Sequence, residues 1–214
     1  MTAWDEFKTQ FAACPLVAII RGVTPAEVEE IGEALVAGGI RIIEVPLNSP
    51  DALDSIARLV RRLEGRAMIG AGTILTIEQV RAVANAGGRI AVSPNANPKV
   101  IAASVAAGMV ASPGYFTPSE AMIALEAGAQ VLKLFPAEGA SPAMLKSQRA
   151  VLPKDVPILA VGGIGPDTMG PWLAAGANGF GLGGGLYKPG QAGAETQAKA
   201  RAYVTGANGA RFGA

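Results

Sequence analysis

Eight short apolar runs recur along the chain, each apolar on both faces and each closed by turn residues. They read LVAIIRG from Leu16, IRIIEVPLN from Ile40, AMIGAGTIL from Ala67, RIAVSPN from Arg89, MVASPGYFT from Met109, AQVLKLFPA from Ala129, PILAVGGI from Pro157 and NGFGLGGGLY from Asn178. Their starts lie 20 to 28 residues apart. A strand without a polar face must be covered on both sides, which is the condition of a buried parallel sheet.

Between the runs the apolar positions change to helical spacing. Val28, Ile31, Leu35 and Val36 form one such stripe, and Thr24-Pro25 ahead of them reads as an N-cap followed by a first helical residue. Thr76 is placed to cap IEQVRAVANAG, Thr117-Pro118 opens SEAMIALEAG, and Gly165-Pro166 opens DTMGPWLAAG. Several of these segments end in Ala-Gly just before the next run, a left-handed stop signal. Eight alternating units predict a single (β/α)₈ barrel domain over residues 1–214. The alternative, an open doubly wound sheet, would need a strand-order switch, and no dinucleotide fingerprint with its acidic residue is present. The first fifteen residues predict a short N-terminal covering helix, and the tail after Gly206 is expected to fray.

Composition narrows the chemistry. The chain has no His and one Cys, so Ser-His-Asp and Cys-His catalysis and His-containing zinc sites are excluded within it. Acid–base work falls to Asp, Glu, Lys, Tyr or water. A single cysteine, Cys14, excludes an intrachain disulfide framework and points to a reducing compartment. Net charge is +1 with no block of like charges, which argues against nucleic-acid or membrane partners recognised by bulk charge. Uncharged stretches at 100–119 and 168–187 reach spanning length but are broken by Gly, Pro, Ser or Asn. With no apolar leader in MTAWDEFKTQ, a cytoplasmic location is expected.

Three charges interrupt the apolar runs at or beyond their middles. Of seven lysines only Lys133 lies inside a run, in Gln-Val-Leu-Lys-Leu-Phe-Pro, while Lys188 and the other five lie in helical or loop contexts. Glu44 is the carboxylate similarly placed, in Ile-Ile-Glu-Val-Pro-Leu, and Arg21 closes the first run. Barrel chemistry sits at the C-terminal ends of strands. An amine held in apolar surroundings loses its proton easily and becomes a nucleophile toward ketones, and a carboxylate beside it can shuttle protons. Arg21 could grip a substrate carboxylate with both guanidinium edges. Each has a plainer alternative: a buried Lys–Glu salt bridge, and a strand-end arginine pairing with a loop acid.

Glycines mark the other half of the candidate site. Val161-Gly162-Gly163 ends the seventh run and Gly183-Gly184-Gly185 the eighth. In barrels these two loops commonly bind phosphate through backbone N–H groups, although tight turns alone would also use glycine. Thr73 offers a hydroxyl to a small oxyanion or to a turn. Phe135 shares a strand face with Lys133 at spacing two, and Pro94 and Pro113 shape strand-end loops.

Taken in order, Ile-Ile-Glu-Val-Pro-Leu-Asn-Ser-Pro, Ile-Gly-Ala-Gly-Thr, Ser-Pro-Asn, Val-Leu-Lys-Leu-Phe-Pro-Ala and Ala-Val-Gly-Gly-Ile resemble the class I aldolases of 2-keto-3-deoxy-6-phospho-sugar acids. The resemblance runs from about Leu16 to Tyr187. It implies a homotrimeric TIM barrel that needs no metal or organic cofactor and cleaves a phosphorylated keto-deoxy sugar acid to pyruvate and glyceraldehyde 3-phosphate. It implies Lys133 as the Schiff-base lysine and Glu44 as proton shuttle. Arg21 and Thr73 would bind the pyruvyl carboxylate, Pro94 and Phe135 would line the pocket, and Gly162, Gly163 and Gly184 would receive phosphate. The gluconate branch usually carries Glu-Val-Thr-Leu-Arg-Thr, whose arginine helps hold phosphate. Here Glu44-Val45-Pro46-Leu47-Asn48-Ser49-Pro50 is similar to the galactonate branch, and Asn48 brings no charge. The last phosphate loop, often Gly-Ser, is Gly183-Gly184, so a hydroxyl donor is missing there.

Three rival readings differ in what they require. Cleavage of 4-hydroxy-2-oxoglutarate needs the same lysine and no phosphate pocket. A metal-dependent phosphosugar isomerase or epimerase usually wants His, which is absent. A phosphate-binding barrel without catalysis predicts a vacant lysine or carboxylate position, yet Lys133 and Glu44 are both present.

Overall fold

The computed structural model describes residues 1–212. All eight runs form parallel strands, and these close into a barrel in sequence order. The strands are β1 (Leu16–Ile19), β2 (Ile42–Pro46), β3 (Met68–Gly72), β4 (Ile90–Ser93), β5 (Val110–Tyr115), β6 (Leu132–Leu134), β7 (Ile158–Val161) and β8 (Gly179–Leu182). Every strand residue is buried, as runs apolar on both faces require. Register places Glu44 between Ile19 of β1 and Gly70 of β3, and Lys133 between Gly114 of β5 and Leu159 of β7.

Period-two alternation sorts the side chains into two cores. Ile43 and Val45 of β2 join the larger core between sheet and helices, whereas Ile42 joins Val17, Ile19, Met68, Ile90, Val92, Val110, Val131, Leu159 and Val161 in a second core. Those are the inward positions. Helix α1 (Ala3–Ala13), the expected covering helix, adds Ala3 and Phe7 to this inner core. Phe7 is fully buried and stacks between Trp4 and Phe11. The lower barrel is therefore a sealed apolar plug. By the same alternation Glu44 follows Ile42, Lys133 follows Val131, and Arg21 follows Ile19 on the inward face.

The helical segments are α2 (Val28–Ala37), α3 (Ala52–Arg62), α4 (Ile77–Asn85), α5 (Pro98–Ala106), α6 (Pro118–Glu126), α7 (Pro142–Arg149), α8 (Met169–Ala174) and α9 (Gly193–Phe212). Thr76 and Thr117 form the expected N-caps, each completed into a capping box by Gln79 and Glu120. Gly39, Gly87, Gly108, Gly128 and Gly176, the glycines of the Ala-Gly and Gly-Gly stops, have positive φ.

Three helix expectations are corrected. Thr24 does not cap α2: its N–H and hydroxyl both bond Glu27 Oε1, a turn intervenes, and regular helix starts at Val28. Pro166 lies outside α8, which is only six residues long because Thr168 bonds both backbone groups of Gly165 and Pro171 supplies no N–H. The tail after Gly206 does not fray before Phe212. Ala200, Tyr203 and Ala207 of α9 are buried, and Gly206 backs directly onto the Pro166 carbonyl. Among the described residues no helix is long and apolar enough to cross a membrane.

Candidate active site

The C-terminal ends of the strands open into a cavity of about 690 Å³. Arg21, Lys133, Phe135, Gly162, Gly163 and Gly184 all line it, so β1, β6, β7 and β8 deliver their sequence-predicted residues to one space. Arg21 is corrected in one respect. It does not close β1 but lies two residues past Ile19, in the turn, where its side chain is exposed.

Lys133 is 7% exposed, and its Nζ lies 4.5 Å from the centroid of the Phe135 ring. Burial pushes its pKa down from the usual lysine range; Glu44 opposes that and Arg21 adds to it. The same desolvation raises the Glu44 carboxyl to about 7, against the pull of Lys133 and Arg21. Glu44 is 2% exposed, and its Oε2 has no hydrogen-bond partner. An amine that deprotonates readily thus shares the barrel with a carboxyl that exchanges protons near neutrality. Opposed perturbations of this kind are concentrated at acid–base sites.

Space for the Glu44 carboxylate is made by the neighbouring strand. A Cβ built on Gly72 would lie 2.1 Å from Glu44 Oε2 and 2.4 Å from Cδ. The residue after it, Thr73, is half-buried and has φ 57°. Left-handed backbone at a β-branched residue costs about 1–3 kcal/mol and is concentrated at functional sites. Glu44, within β2, is not part of the cavity wall described above, and neither are Thr73 and Pro94. Thr73 and Pro94 follow β3 and β4 at the same end of the barrel, Pro94 with its carbonyl packed against Gly114 of β5.

At the opposite side of the cavity, Gly162 and Gly163 have φ 115° and 66°. Glu138 lies over them: its Oε2 is 3.0 Å from a Cβ built on Gly162, and its Cγ is 2.6 Å from one built on Gly163. Gly183 and Gly184 face open space on their Cβ sides. Lys188, Tyr187 and Pro189 complete this wall. The Tyr187 hydroxyl donates to Glu27 Oε1 at 3.2 Å, and burial and Glu27 together push its pKa up.

Sequence reasoning missed four residues here. Lys188 lies in a loop and Glu138 in a short 3-10 helix (Ala137–Gly139), both outside the strands, where charge is unremarkable until the loops are folded together. In the sequence Tyr187 is only the end of the last run. In the sequence Asn48 is only a missing charge, yet its side-chain carbonyl accepts a hydrogen bond from Arg21 Nη1. Its place within the Glu44 motif was the available signal. Among the described residues no group of three His, Cys, Asp or Glu side chains could hold a metal ion.

A family model described as KDPG and KHG aldolase matches residues 8–198. A probable 2-dehydro-3-deoxy-6-phosphogalactonate aldolase of Rhizobium meliloti strain 1021 is 46% identical over 190 residues, covering 89% of this chain and 90% of the relative. The 2-dehydro-3-deoxy-6-phosphogalactonate aldolase of Escherichia coli K12 is 44% identical over 190 residues, covering 89% and 93%. A solved structure described as native KDPGal superposes with a TM-score of 0.90 at 43% identity, covering 92% of this chain and 96% of that one.

Proposed function

The chain belongs to the KDPG and KHG aldolase family, and from that premise we propose that it cleaves 2-dehydro-3-deoxy-6-phospho-D-galactonate to pyruvate and D-glyceraldehyde 3-phosphate. The observation that carries the reading is the buried Lys133 amine with depressed pKa in the same barrel as a Glu44 carboxyl raised to about 7.

In the proposed mechanism, neutral Lys133 Nζ attacks the C2 ketone to give a carbinolamine. Protonated Glu44 donates to the departing hydroxyl, water leaves, and an iminium forms. Glu44, now a carboxylate, removes the C4 hydroxyl proton, directly or through water. The C3–C4 bond breaks, its electrons pass to the iminium nitrogen as an enamine forms, and the aldehyde departs. Protonation at C3 and hydrolysis release pyruvate and restore the lysine. A carboxyl near pKa 7 suits both directions of transfer, because either form is available at neutral pH.

The two ends of the substrate have matching ends of the site. Arg21, with Thr73, holds the pyruvyl carboxylate, and Phe135 and Pro94 flank the reacting carbons. Gly162, Gly163 and Gly184 present backbone N–H groups to the phosphate, Glu138 swings off the glycine pair, and Lys188 supplies the cation that Asn48 cannot. The enzyme is proposed to act in the cytoplasm as a homotrimer. Leu53 and Leu75, 40% and 46% exposed, offer apolar surface for subunit contact. Light scattering at about three times 21.6 kDa tests that state, and a monomer mass refutes it.

The substrate assignment is tested by assaying the galactonate and gluconate epimers and 4-hydroxy-2-oxoglutarate side by side. The highest kcat/KM is expected for the galactonate epimer. Preference for either other substrate would overturn the assignment while leaving the lysine chemistry intact.

A further inference from the structure

We propose that Asn48 is a positioning residue for the pyruvyl-carboxylate end of the site, acting through Arg21 and not on the phosphate. The inference rests on the proposed role of Arg21 and on the way two loops are tied together above the barrel. β2 ends at Pro46, and the Ser49 N–H bonds the Pro46 carbonyl at 2.9 Å, closing a turn that presents Asn48. From this turn the Asn48 side-chain carbonyl accepts from Arg21 Nη1, while the Ser49 hydroxyl accepts from the Gly22 N–H at 2.9 Å. Ser49 is buried, so that second tie is shielded from water. Lower down, the Ile20 N–H still bonds the Glu44 carbonyl at 3.1 Å, so the β1–β2 ladder continues into the turn. On its far side Gly22 packs against Pro189, whose Cγ is 2.7 Å from where a Cβ would lie.

The backbone that carries Arg21 is therefore fixed from both flanks, and only the side chain remains to be oriented. Arginine has several rotatable bonds and is exposed here, so unrestrained it would spread over many rotamers. A neutral carbonyl acceptor is suited to hold it. It engages one N–H of the guanidinium and cancels none of the positive charge, leaving the other donors for a carboxylate. An acidic residue at the same place would neutralise Arg21 before substrate arrived. The amide of Asn48 thus aligns the anchor without competing for it.

The test uses pyruvate alone, which carries the carboxylate and lacks phosphate. Enamine formation exchanges the pyruvate methyl protons for solvent deuterium, and NMR follows this for wild type, Asn48→Ala, Arg21→Ala and the double variant, with melting curves to confirm folding. Asn48→Ala is expected to raise half-saturating pyruvate about tenfold, as for a lost hydrogen bond to a charged group, with little change at saturation. In the Arg21→Ala background the same change is expected to do nothing further. Unchanged half-saturation in Asn48→Ala, or an equal loss in both backgrounds, would overturn the positioning role. No exchange by wild-type protein would instead overturn the aldolase reading on which it rests.

Discussion

The carboxylate of Glu44 owes its position to the absence of one methyl group on β3, and Gly72→Ala puts that dependence to the test. A Cβ there would stand 2.1 Å from Glu44 Oε2, whereas real Cβ contacts essentially never fall below 3.0 Å. The carboxylate must therefore retreat by about 0.9 Å or more. Gly72 does not have a positive φ, so alanine adds no backbone strain, and the atom in the way is the end of a flexible side chain. The fold should survive while the proton shuttle is displaced. A misplacement of about 1 Å at a reacting group costs about 10²-fold in rate, or roughly 2.7 kcal/mol in the barrier. Release of pyruvate, followed through NADH oxidation by lactate dehydrogenase, should show kcat falling by about that factor. Borohydride should still trap pyruvate on Lys133, because the amine is untouched. Wild-type kcat in a folded Gly72→Ala protein would refute the reasoning, since Glu44 could then be moved without consequence.

Other expectations follow from the same geometry. Lys188→Ala should raise KM for the phosphorylated substrate about tenfold or more and leave 4-hydroxy-2-oxoglutarate cleavage unchanged, since only the former carries phosphate; equal losses on both would remove Lys188 from phosphate recognition. The pH profile of kcat/KM should fall as pH rises through about 7, because the free enzyme needs Glu44 protonated to donate to the departing hydroxyl and its carboxyl titrates there and not near 4.5. That fall should be lost in Glu44→Gln, and its survival there would remove Glu44 from the proton-donor role. Phe7→Ala should destabilise by about 3–5 kcal/mol by opening the apolar plug beneath the site, with kcat unchanged for the folded fraction. A melting temperature within about 2 °C of wild type would show that α1 does not seal the barrel.

Much of this architecture was legible because the sheet is covered on both faces. A strand with no polar face leaves an unbroken apolar run, and eight such runs at near-even spacing admit few closed topologies. The same property exposed the chemistry: Glu44 and Lys133 were conspicuous because they interrupt inward-facing strand positions that otherwise carry no charge. The helix starts were less legible. Thr24 has the composition of an N-cap, but its hydroxyl bonds the Glu27 carboxylate instead of the helix N–H groups. The C-terminal tail, with Gly206 and Gly209, has low helical propensity, and packing against α2 and α8 overrides it. Loop residues were the hardest to find. Lys188 and Glu138 meet in one cavity wall only after β6 and β8 are brought around the barrel, and no local pattern encodes that approach.

Everything proposed for the site turns on one nucleophile, and its chemistry can be caught directly. The folded protein is incubated with pyruvate and borohydride and then analysed by intact-mass and peptide mass spectrometry. A single reduced pyruvyl adduct on Lys133, absent from Lys133→Met, is the predicted result. No adduct on folded protein, or an adduct confined to another lysine, would contradict the assignment of Lys133 as the Schiff-base residue.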